Sequence, residues 1–336
     1  MGFLSGRLAP PAFWSRPAGF AAGALAPLAA AWEAGGWARR ALSHPDRPPV
    51  PVVCVGNLVV GGAGKTPVTL ALAAHLRALG VAGHVVTRGY GGRLRGPVRV
   101  DPARHDAALV GDEPLLLAEQ APTWVARDRA AGARAAAAAG ARIVLLDDGL
   151  HNPTIAKTLA LVVVDAEYGF GNGRVIPAGP LRESPARGLE RADAVILLAA
   201  AGAAPGPALP SCLRERPVVP ALLAAGAGER FAGMRLFAFA GIGRPEKFFA
   251  MLERTGAVLT GARAFPDHYR FRAGDLAALR RDAALRGASL ITTRKDFVRL
   301  SAAERAGIAV FDVAVRWPDP AAPARLLAPV LSEVRL

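Results

Sequence analysis

The order of apolar and polar positions predicts short strands that alternate with helices along most of the chain. Helical patterns separate most of the apolar runs, and one of them, at residues 127–139, is rich in alanine. Alternation of this kind indicates an α/β fold with a mainly parallel sheet and helices on both faces. The strands expected in the first part of the chain are at residues 50–55, 84–87, 123–126, 142–146, 159–164 and 194–198.

A change in composition separates this part from the rest of the chain. Residues 199–230 are rich in Ala, Gly and Pro, and this composition predicts a linker region. A second, smaller α/β unit is expected to begin near residue 234. Its predicted strands are at residues 236–240, 257–260, 289–292 and 308–313.

The N-terminal part contains a segment, residues 17–32, that carries no charged side chain. A helix of this length spans ~24 Å, which is short of the ~30 Å hydrocarbon core of a bilayer, and Pro27 would kink it. Three interpretations stay open: a cleaved signal peptide, a buried core helix, and a helix attached to a membrane. Flanking arginines and Trp14, Trp32 and Trp37 favour attachment, because indoles prefer the headgroup zone and arginines attract anionic lipid.

The composition limits which cellular compartment and which binding partners are possible for this chain. The chain has 336 residues, enough for two domains, and 52% of them are hydrophobic. Cys54 and Cys212 are far apart and form no disulfide framework or zinc motif, which suits a reducing cytoplasm. The net charge of +14 fits an anionic substrate, an anionic membrane surface or nucleic acid. No basic run is interleaved with aromatic residues, so we expect no nucleic-acid partner.

The most informative motif is a glycine-rich loop between an apolar run and a helical pattern. Backbone N–H groups in such a turn cradle phosphates, the lysine reaches the β- and γ-phosphates, and the threonine hydroxyl binds Mg²⁺. The usual pattern has Gly at the first position, where this chain has Val59. A glycine-rich connection without a ligand is therefore the alternative. The expected ATP-binding residues are Val59, Val60, Gly61, Gly62, Ala63, Gly64, Lys65 and Thr66.

The sequence after the loop agrees with this interpretation. Pro67 stands in the first helical turn, where its missing N–H costs nothing, and Gly80 is placed to end the helix. One apolar face is expected at Val68, Leu72, Leu76 and Leu79.

A second motif follows the apolar run at residues 143–146, namely Asp147-Asp148-Gly149. Carboxylates at the end of a strand hold Mg²⁺ in phosphate-loop enzymes. The two carboxylates can face one metal if they lie on a turn just past the strand. An ordinary Asp-Gly turn is the alternative. With Thr66, these two aspartates form the predicted metal site.

Several further segments combine with the two motifs in a specific order. These are VGNLVVGGAGKTP, TRGYGG, GDEP, DR at 128–129, DDG, GFGNGRVIPAGPLRE, AFAGIGRPEKFF, FPDHY and TTRKD. Together they resemble the tetraacyldisaccharide 4'-kinase family, the lipid A 4'-kinases of Gram-negative bacteria. The resemblance extends from the N-terminal segment to about Leu300.

The resemblance implies a function. Members of this family transfer the γ-phosphate of ATP to the 4'-hydroxyl of a tetraacylated glucosamine disaccharide 1-phosphate, giving lipid IVA. The expected cofactors are ATP and Mg²⁺. The expected location is the cytoplasmic face of the inner membrane, with peripheral or monotopic attachment through the N-terminus. The implied domains are a membrane-anchoring segment at 1–42, a nucleotide-binding domain at 43–230 and a second α/β domain at 231–336.

The resemblance also implies roles for single residues. Asp112 and His268 would form the pair that takes the proton from the attacking hydroxyl, and Lys65 would neutralise phosphate charge. Because Asp112 and His268 come from different predicted domains, catalysis would require domain closure. The transferring phosphate or the substrate would contact Arg88, Tyr90, Arg129 and Arg182.

The sequence departs from the family pattern at three places. Leu150-His151-Asn152 stands where Phe or Leu followed by Gln-His is usual, Arg244 stands where Asn is usual, and Val59 replaces a small hydroxyl residue. Two rival functions share the phosphate loop: a soluble GTPase or metal-insertion ATPase, and a membrane-associated module that keeps nucleotide for structure. The absence of an N-K-x-D motif counts against GTP.

Overall fold

The computed structural model describes residues 11–202, 211–226 and 228–334. The chain divides into two compact units. The phosphate-loop unit comprises residues 11–199, 211–222 and 315–334, and the second unit comprises residues 200–202, 223–226 and 228–314. The sequence-based boundaries placed all residues from 231 to 336 in the second domain, whereas the structure returns 315–334 to the phosphate-loop unit.

The strands of the chain form two sheets. Their bounds are β1 Val52–Gly56, β2 Gly83–Thr87, β3 Val98–Arg99, β4 Thr123–Val125, β5 Ile143–Asp147, β6 Leu159–Asp165, β7 Ala194–Ala200, β8 Val218–Ala225, β9 Arg235–Ala240, β10 Val258–Ala264, β11 Ser289–Thr293, β12 Ile308–Phe311 and β13 Val313–Arg316. The larger sheet has the order β13-β8-β7-β6-β1-β5-β2-β4-β3. Its strands from β7 to β4 in this order run parallel. The smaller sheet, β10-β9-β11-β12, is also parallel. The predicted α/β fold with parallel sheets is therefore confirmed.

Helices connect most of the parallel strands. Their bounds are α1 Phe20–Ala24, α2 Ala26–Ala41, α3 Lys65–Ala78, α4 Ala107–Val110, α5 Asp112–Ala118, α6 Arg129–Ala138, α7 Pro185–Glu190, α8 Pro245–Glu253, α9 Ala273–Leu285, α10 Arg294–Phe297, α11 Ala302–Arg305 and α12 Ala322–Leu331. Strands β1, β5 and β6 are buried along their whole length. Burial of both faces explains why these strands are continuous apolar runs in the sequence.

Two sequence-based predictions are wrong in detail. The region 199–230 is not simply a linker, because β8 lies in it and belongs to the larger sheet. Pro220 interrupts the apolar run of β8, and a proline lowers the strand signal of a sequence. Leu79 does not share the buried face of α3: it is 46% exposed, because the helix ends at Ala78 and Gly80 adopts a φ of 71°.

The N-terminal helices α1 and α2 are mostly exposed. Among their described residues only Ala22 and Ala29 are buried, so the interpretation as a buried core helix is wrong. Large apolar side chains face solvent instead: Phe20, Leu28, Trp32 and Trp37 are each more than half exposed. Over the residues that the structure describes, no helix is both long enough and apolar enough to cross a membrane.

Candidate functional site

The glycine-rich loop joins β1 to α3 as predicted. Gly61 and Gly64 adopt φ angles of 106° and 85°, and α3 begins at Lys65. The N–H groups in the first turn of a helix have no partner within the helix, so this end of α3 can bind phosphate oxygens. The positive φ values explain why glycine occupies these two positions.

The start of the loop is paired with another segment. Val59 forms an antiparallel bridge with Leu181, the N–H of Val60 donates to the carbonyl of Pro180 at 2.8 Å, and the N–H of Arg182 donates to Leu58 at 2.8 Å. Val59 therefore has a strand-like role, which accounts for a β-branched residue where the motif usually has Gly. Because the Val60 amide is bonded to Pro180, the later amides of the loop are the better candidates for phosphate binding.

Thr66 and Asp147 meet at the carboxyl ends of neighbouring strands. The register between β1 and β5 sets Val55 beside Asp147. The Thr66 hydroxyl donates to Asp147 Oδ2 at 3.2 Å, and the Thr69 hydroxyl donates to Oδ1 at 3.0 Å. Burial raises the pKa of Asp147 to about 7, and the nearby Glu113 carboxylate adds to this shift. A cation at this point would relieve the unfavourable burial of negative charge.

Asp148 has different partners. Its φ of 57° turns the chain just past β5. Its carboxylate accepts three hydrogen bonds, of 3.0, 3.2 and 3.3 Å, from the two terminal nitrogens of Arg182. Lys65 Nζ lies 3.8 Å from Asp148 Oδ1 and 3.1 Å from Asn57 Oδ1. Partial burial opposes ionisation of Asp148, but Lys65 and Arg182 outweigh it and hold the pKa below its usual range. The structure thus joins Asp148 to cations and Asp147 to hydroxyls.

Two further predicted arginines lie near these carboxylates. Arg129 is only 4% exposed, and its NH1 group donates to the Ala126 carbonyl at 2.8 Å. Its Nε atom is buried and has no hydrogen-bond partner among the residues that the structure describes. Burial, with a contribution from Arg88, lowers the pKa of Arg129 to about 10. A buried donor beside a second cation suits an anionic ligand, because an anion would satisfy the donor and reduce the repulsion.

The remaining predicted residues are distributed over both units. Tyr90 is 43% exposed, on the loop after β2. Asp112 is buried at the first position of α5, where its Oδ1 accepts the Glu113 N–H at 3.0 Å. His268 lies in the second unit and adopts a left-handed φ of 59°. Because Asp112 and His268 belong to different units, their pairing stays a prediction.

A buried carboxylate that the sequence did not single out lies next to Arg182. Glu183 is 2% exposed. It contacts His151 Nδ1 at 2.9 Å, Arg40 at 3.3 Å and Arg191 through a short ion pair. His151 also bonds through Nε2 to the Asn57 carbonyl at 3.0 Å. The available signal in the sequence was His151, because it departs from the family pattern and is one of the residues that contact Glu183.

Helix α2 is attached to the same segment. The Trp32 indole donates to the Arg182 carbonyl at 3.0 Å, and Glu33 accepts the Ser184 N–H at 2.9 Å. With the ion pair between Arg40 and Glu183, the helix contacts three consecutive residues, 182 to 184. The backbone that carries Arg182 is therefore held by the N-terminal helix.

Comparisons with known proteins agree with the resemblance seen in the sequence. Residues 21–332 match the tetraacyldisaccharide-1-P 4'-kinase family. The chain is 53% identical to a tetraacyldisaccharide 4'-kinase of Rhodospirillum centenum over 96% of each chain. It is 52% identical to one of Dinoroseobacter shibae over 92% of this chain and 94% of the relative.

A solved structure shares the fold. It is the "apo" form of LpxK from Aquifex aeolicus in complex with ATP, which is 23% identical with a TM-score of 0.72 and covers 93% of this chain and 99% of its own. The family match and the sequence identities of 53% and 52% show family membership as well as a shared fold. This chain belongs to the tetraacyldisaccharide 4'-kinase family.

Proposed function

We propose that this protein transfers the γ-phosphate of ATP to the 4'-hydroxyl of a tetraacylated glucosamine disaccharide 1-phosphate, giving lipid IVA. The observation that carries the proposal is the cluster at the carboxyl ends of β1 and β5. There, Thr66 contacts Asp147, while Lys65 and Arg182 contact Asp148. Phosphoryl transfer depends on positioning and on charge neutralisation, and this cluster supplies fixed cations and a metal-binding carboxylate at one place.

The phosphate loop would hold ATP through the amides at the start of α3. Lys65 would exchange its contact with Asp148 for the β- and γ-phosphates when nucleotide binds. Arg182 would stay paired with Asp148, which keeps this carboxylate from repelling the phosphates. Arg88 and Arg129 would face the charge that is transferred, and the unpaired Nε of Arg129 would gain a partner.

The residues present also suit Mg²⁺. No group of three or more His, Cys, Asp and Glu side chains within the described ranges is arranged to hold a metal. Mg²⁺ is commonly held by one or two protein oxygens together with phosphates and water, and Thr66 with Asp147 provides such a pair. When bound, the ion would neutralise charge on the β- and γ-phosphate oxygens.

Asp112 and His268 would take the proton from the attacking sugar hydroxyl. Such a hydroxyl is a weak nucleophile, so a base within hydrogen-bond reach accelerates its attack. Asp112 is buried, and His268 is held in a left-handed conformation. Both features suit residues that are placed for a task, because buried charge and strained backbone cost stability.

The exposed apolar side chains of α1 and α2 support attachment to the cytoplasmic face of the inner membrane, where the glycolipid substrate would lie. Phe20, Leu28 and Trp37 can enter the interfacial zone of a bilayer. The last turn of α2 also carries Arg39, which is exposed, and arginines near a membrane are attracted to anionic lipid. This arrangement suits a helix that lies on the membrane. An anionic membrane surface would account for the positive charge, so we expect no nucleic-acid partner.

The test is phosphorylation of a lipid A disaccharide precursor in mixed micelles, with the position of the new phosphate determined by NMR. We expect a product phosphorylated at the 4'-position that depends on ATP and Mg²⁺ and is not formed with GTP. Lys65→Ala is the negative control. Nucleotide hydrolysis without phosphorylation of the disaccharide would instead support the rival interpretation as an NTPase.

A further inference from the structure

Arg182 lies near the end of the loop at residues 166–184, which connects β6 to α7. We propose that Trp32 and Glu33 of α2 are positioning residues that keep this β6–α7 loop, and with it Arg182, in place beside Asp148. The inference rests on the proposed role of Arg182 near the transferring phosphate. It gives α2 a role in turnover that is separate from attachment to the membrane.

The β6–α7 loop needs contacts outside itself to keep one conformation. Loops of more than about 12–15 residues without a helix or strand are mostly functional or disordered, because ordering each residue costs backbone entropy. One set of contacts comes from the phosphate loop. Leu181 is fully buried and forms a bridge with Val59, and the Arg182 N–H donates to the Leu58 carbonyl at 2.8 Å. These contacts fix the chain on the N-terminal side of Arg182.

Helix α2 fixes the chain on the other side of Arg182. The Trp32 indole donates to the Arg182 carbonyl at 3.0 Å, and Glu33 Oε1 accepts the Ser184 N–H at 2.9 Å. The backbone of Arg182 is therefore bonded at its N–H by the phosphate loop and at its carbonyl by α2. The guanidinium group donates three hydrogen bonds of 3.0 to 3.3 Å to Asp148. Such a fork of donors keeps its geometry only while the backbone behind it is fixed.

A second tryptophan of the N-terminal region contacts the β6–α7 loop in the same way. The Trp14 indole donates to the Pro177 carbonyl at 3.1 Å, and the Trp14 carbonyl accepts the Asn172 N–H at 2.8 Å. Indoles combine a large apolar body with one N–H donor, and both Trp14 and Trp32 direct that donor at a carbonyl of the loop. These two indoles therefore support the loop, whereas the exposed apolar side chains of α1 and α2 remain available to a bilayer.

Trp32 and Glu33 are the clearest probes of this support. Arg40 also contacts the loop, through Glu183, but Glu183 has two further partners in the phosphate-loop unit. A variant of Arg40 would therefore affect more than the position of the loop. Trp32 and Glu33 bond directly to the backbone on either side of Glu183, so their variants change only the hold on that backbone.

The experiment measures kcat, both KM values and vesicle sedimentation for variants of the full chain. Trp32→Phe removes the indole N–H and keeps an aromatic ring. We expect kcat in mixed micelles to fall about three- to tenfold, the range that corresponds to the loss of one hydrogen bond. The KM for lipid should change by less than about twofold, because the variant leaves uniform binding of the lipid intact. Sedimentation with anionic vesicles should stay at the wild-type level.

Variants of Glu33 supply a rescue by a conservative change. Glu33→Ala removes the acceptor of the Ser184 N–H and should lower kcat by a similar factor. Glu33→Gln keeps a side-chain oxygen that can accept the same N–H, so its kcat should stay close to that of the wild type. A role that depends on the charge of Glu33 would instead make these two variants equally slow and would overturn the inference for this residue.

A double-mutant cycle tests whether Trp32 acts through Arg182. Arg182→Ala should lower kcat by at least about tenfold, because it removes hydrogen bonds to a charged group. In the Arg182→Ala background there is no guanidinium left to position, so Trp32→Phe should slow turnover by less than about twofold further. The loss caused by Trp32→Phe with Glu33→Ala should not exceed that of Arg182→Ala.

Trp124→Phe is the matched control. The Trp124 indole donates to His84 Nδ1 at 3.3 Å, so this variant loses the same kind of bond on β4 in the same unit, away from the β6–α7 loop. Its kcat should equal that of the wild type. Thermal melting of Trp32→Phe should resemble that of the control, which separates a displaced loop from a general loss of stability.

The outcomes distinguish this inference from the proposed function. If Arg182→Ala retains wild-type kcat, the role of Arg182 is wrong and the inference falls with it. If Arg182→Ala is slow while Trp32→Phe and Glu33→Ala have wild-type kcat, only the inference is overturned. It is also overturned if Trp32→Phe costs the same factor in both backgrounds. The same holds if Trp32→Phe mainly raises the KM for lipid and weakens sedimentation, which would make the indole a membrane or substrate contact.

Discussion

Replacing Glu183 by glutamine should destabilise the phosphate-loop unit strongly at neutral pH and much less in acid. The carboxylate is 2% exposed and is surrounded by Arg40, His151 and Arg191. Burial alone would raise its pKa, but the hydrogen bonds from His151 and Arg191 lower the pKa from 4.5 to about 2. The folded state therefore stabilises the ionised form of Glu183.

The size of the effect follows from this shift. One pKa unit corresponds to ~1.4 kcal/mol, so the difference between 4.5 and about 2 contributes about 3 kcal/mol to the free energy of unfolding. The folded pKa is the lower one. The contribution is therefore complete above pH 4.5, falls to roughly half by pH 3, and disappears as the pH falls through 2. A loss of this order agrees with the cost of removing one partner from a buried ion pair.

The assay is urea unfolding followed by tryptophan fluorescence. All five tryptophans of the chain, at positions 14, 32, 37, 124 and 317, lie in the phosphate-loop unit, so the signal reports unfolding of that unit. Glu190→Gln is the matched control, since Glu190 is an exposed carboxylate at the end of α7. It should change the free energy of unfolding by less than ~0.5 kcal/mol.

Two results would refute the reasoning. One is a Glu183→Gln variant whose stability at pH 7 lies within ~0.5 kcal/mol of the wild type, close to the range of ordinary surface substitutions. The other is a loss of equal size at pH 7 and pH 3, which would mean that the carboxylate charge is not the source of the stabilisation.

Three other predictions concern turnover and membrane binding. Lys65→Ala should abolish phosphoryl transfer and leave the circular dichroism spectrum unchanged, and near wild-type turnover would refute its role. Serine at Phe20 and Leu28 should weaken sedimentation with anionic vesicles and raise the KM for lipid more than that for ATP, and unchanged sedimentation would assign binding to another surface. Asp112→Ala and His268→Ala should each lower kcat by ~10²- to 10⁴-fold, and the double variant should be scarcely slower if the two act together. Fully additive losses would mean that they do not.

Sequence patterns predicted the buried strands well because burial of both faces leaves a long apolar run. The ends of β1, β5 and β6 lie within two residues of the predicted ends. The pattern failed at β8, where Pro220 interrupts the run. It also failed for β12 and β13, which were predicted as one strand but are separated by Asp312.

The motifs of the candidate site were visible in the sequence because their chemistry is local. The loop that ends at Lys65 and Thr66, and the pair Asp147 and Asp148, each occupy a few consecutive positions. The sequence could not show that the two aspartates have different partners. That outcome depends on the φ of Asp148 and on an arginine supplied by a distant loop.

Other residues of the candidate site could not be predicted from the sequence, because their roles depend on the fold. Glu113 stands in GDEP, which the sequence analysis used only for the family resemblance, although its charge raises the pKa of Asp147. Glu183 and Asn57 belong to no motif that carries chemistry by itself. Their contacts arise because the loop before Glu183 pairs with Val59 at the start of the phosphate loop.

The contacts between α2 and residues 182–184 bear on how a more soluble form of this protein can be made. Trimming the chain before β1 would remove the apolar surface, but it would also remove the side chains of Trp32, Glu33 and Arg40 that hold this segment. The backbone at Arg182 would lose these contacts and keep only those to the phosphate loop and Asp148. A slow truncated enzyme would therefore not show that turnover depends on membrane binding. Solubility is better increased by replacing exposed apolar residues such as Phe20, Leu28 and Trp37 with polar ones, while Trp32, Glu33 and Arg40 are kept.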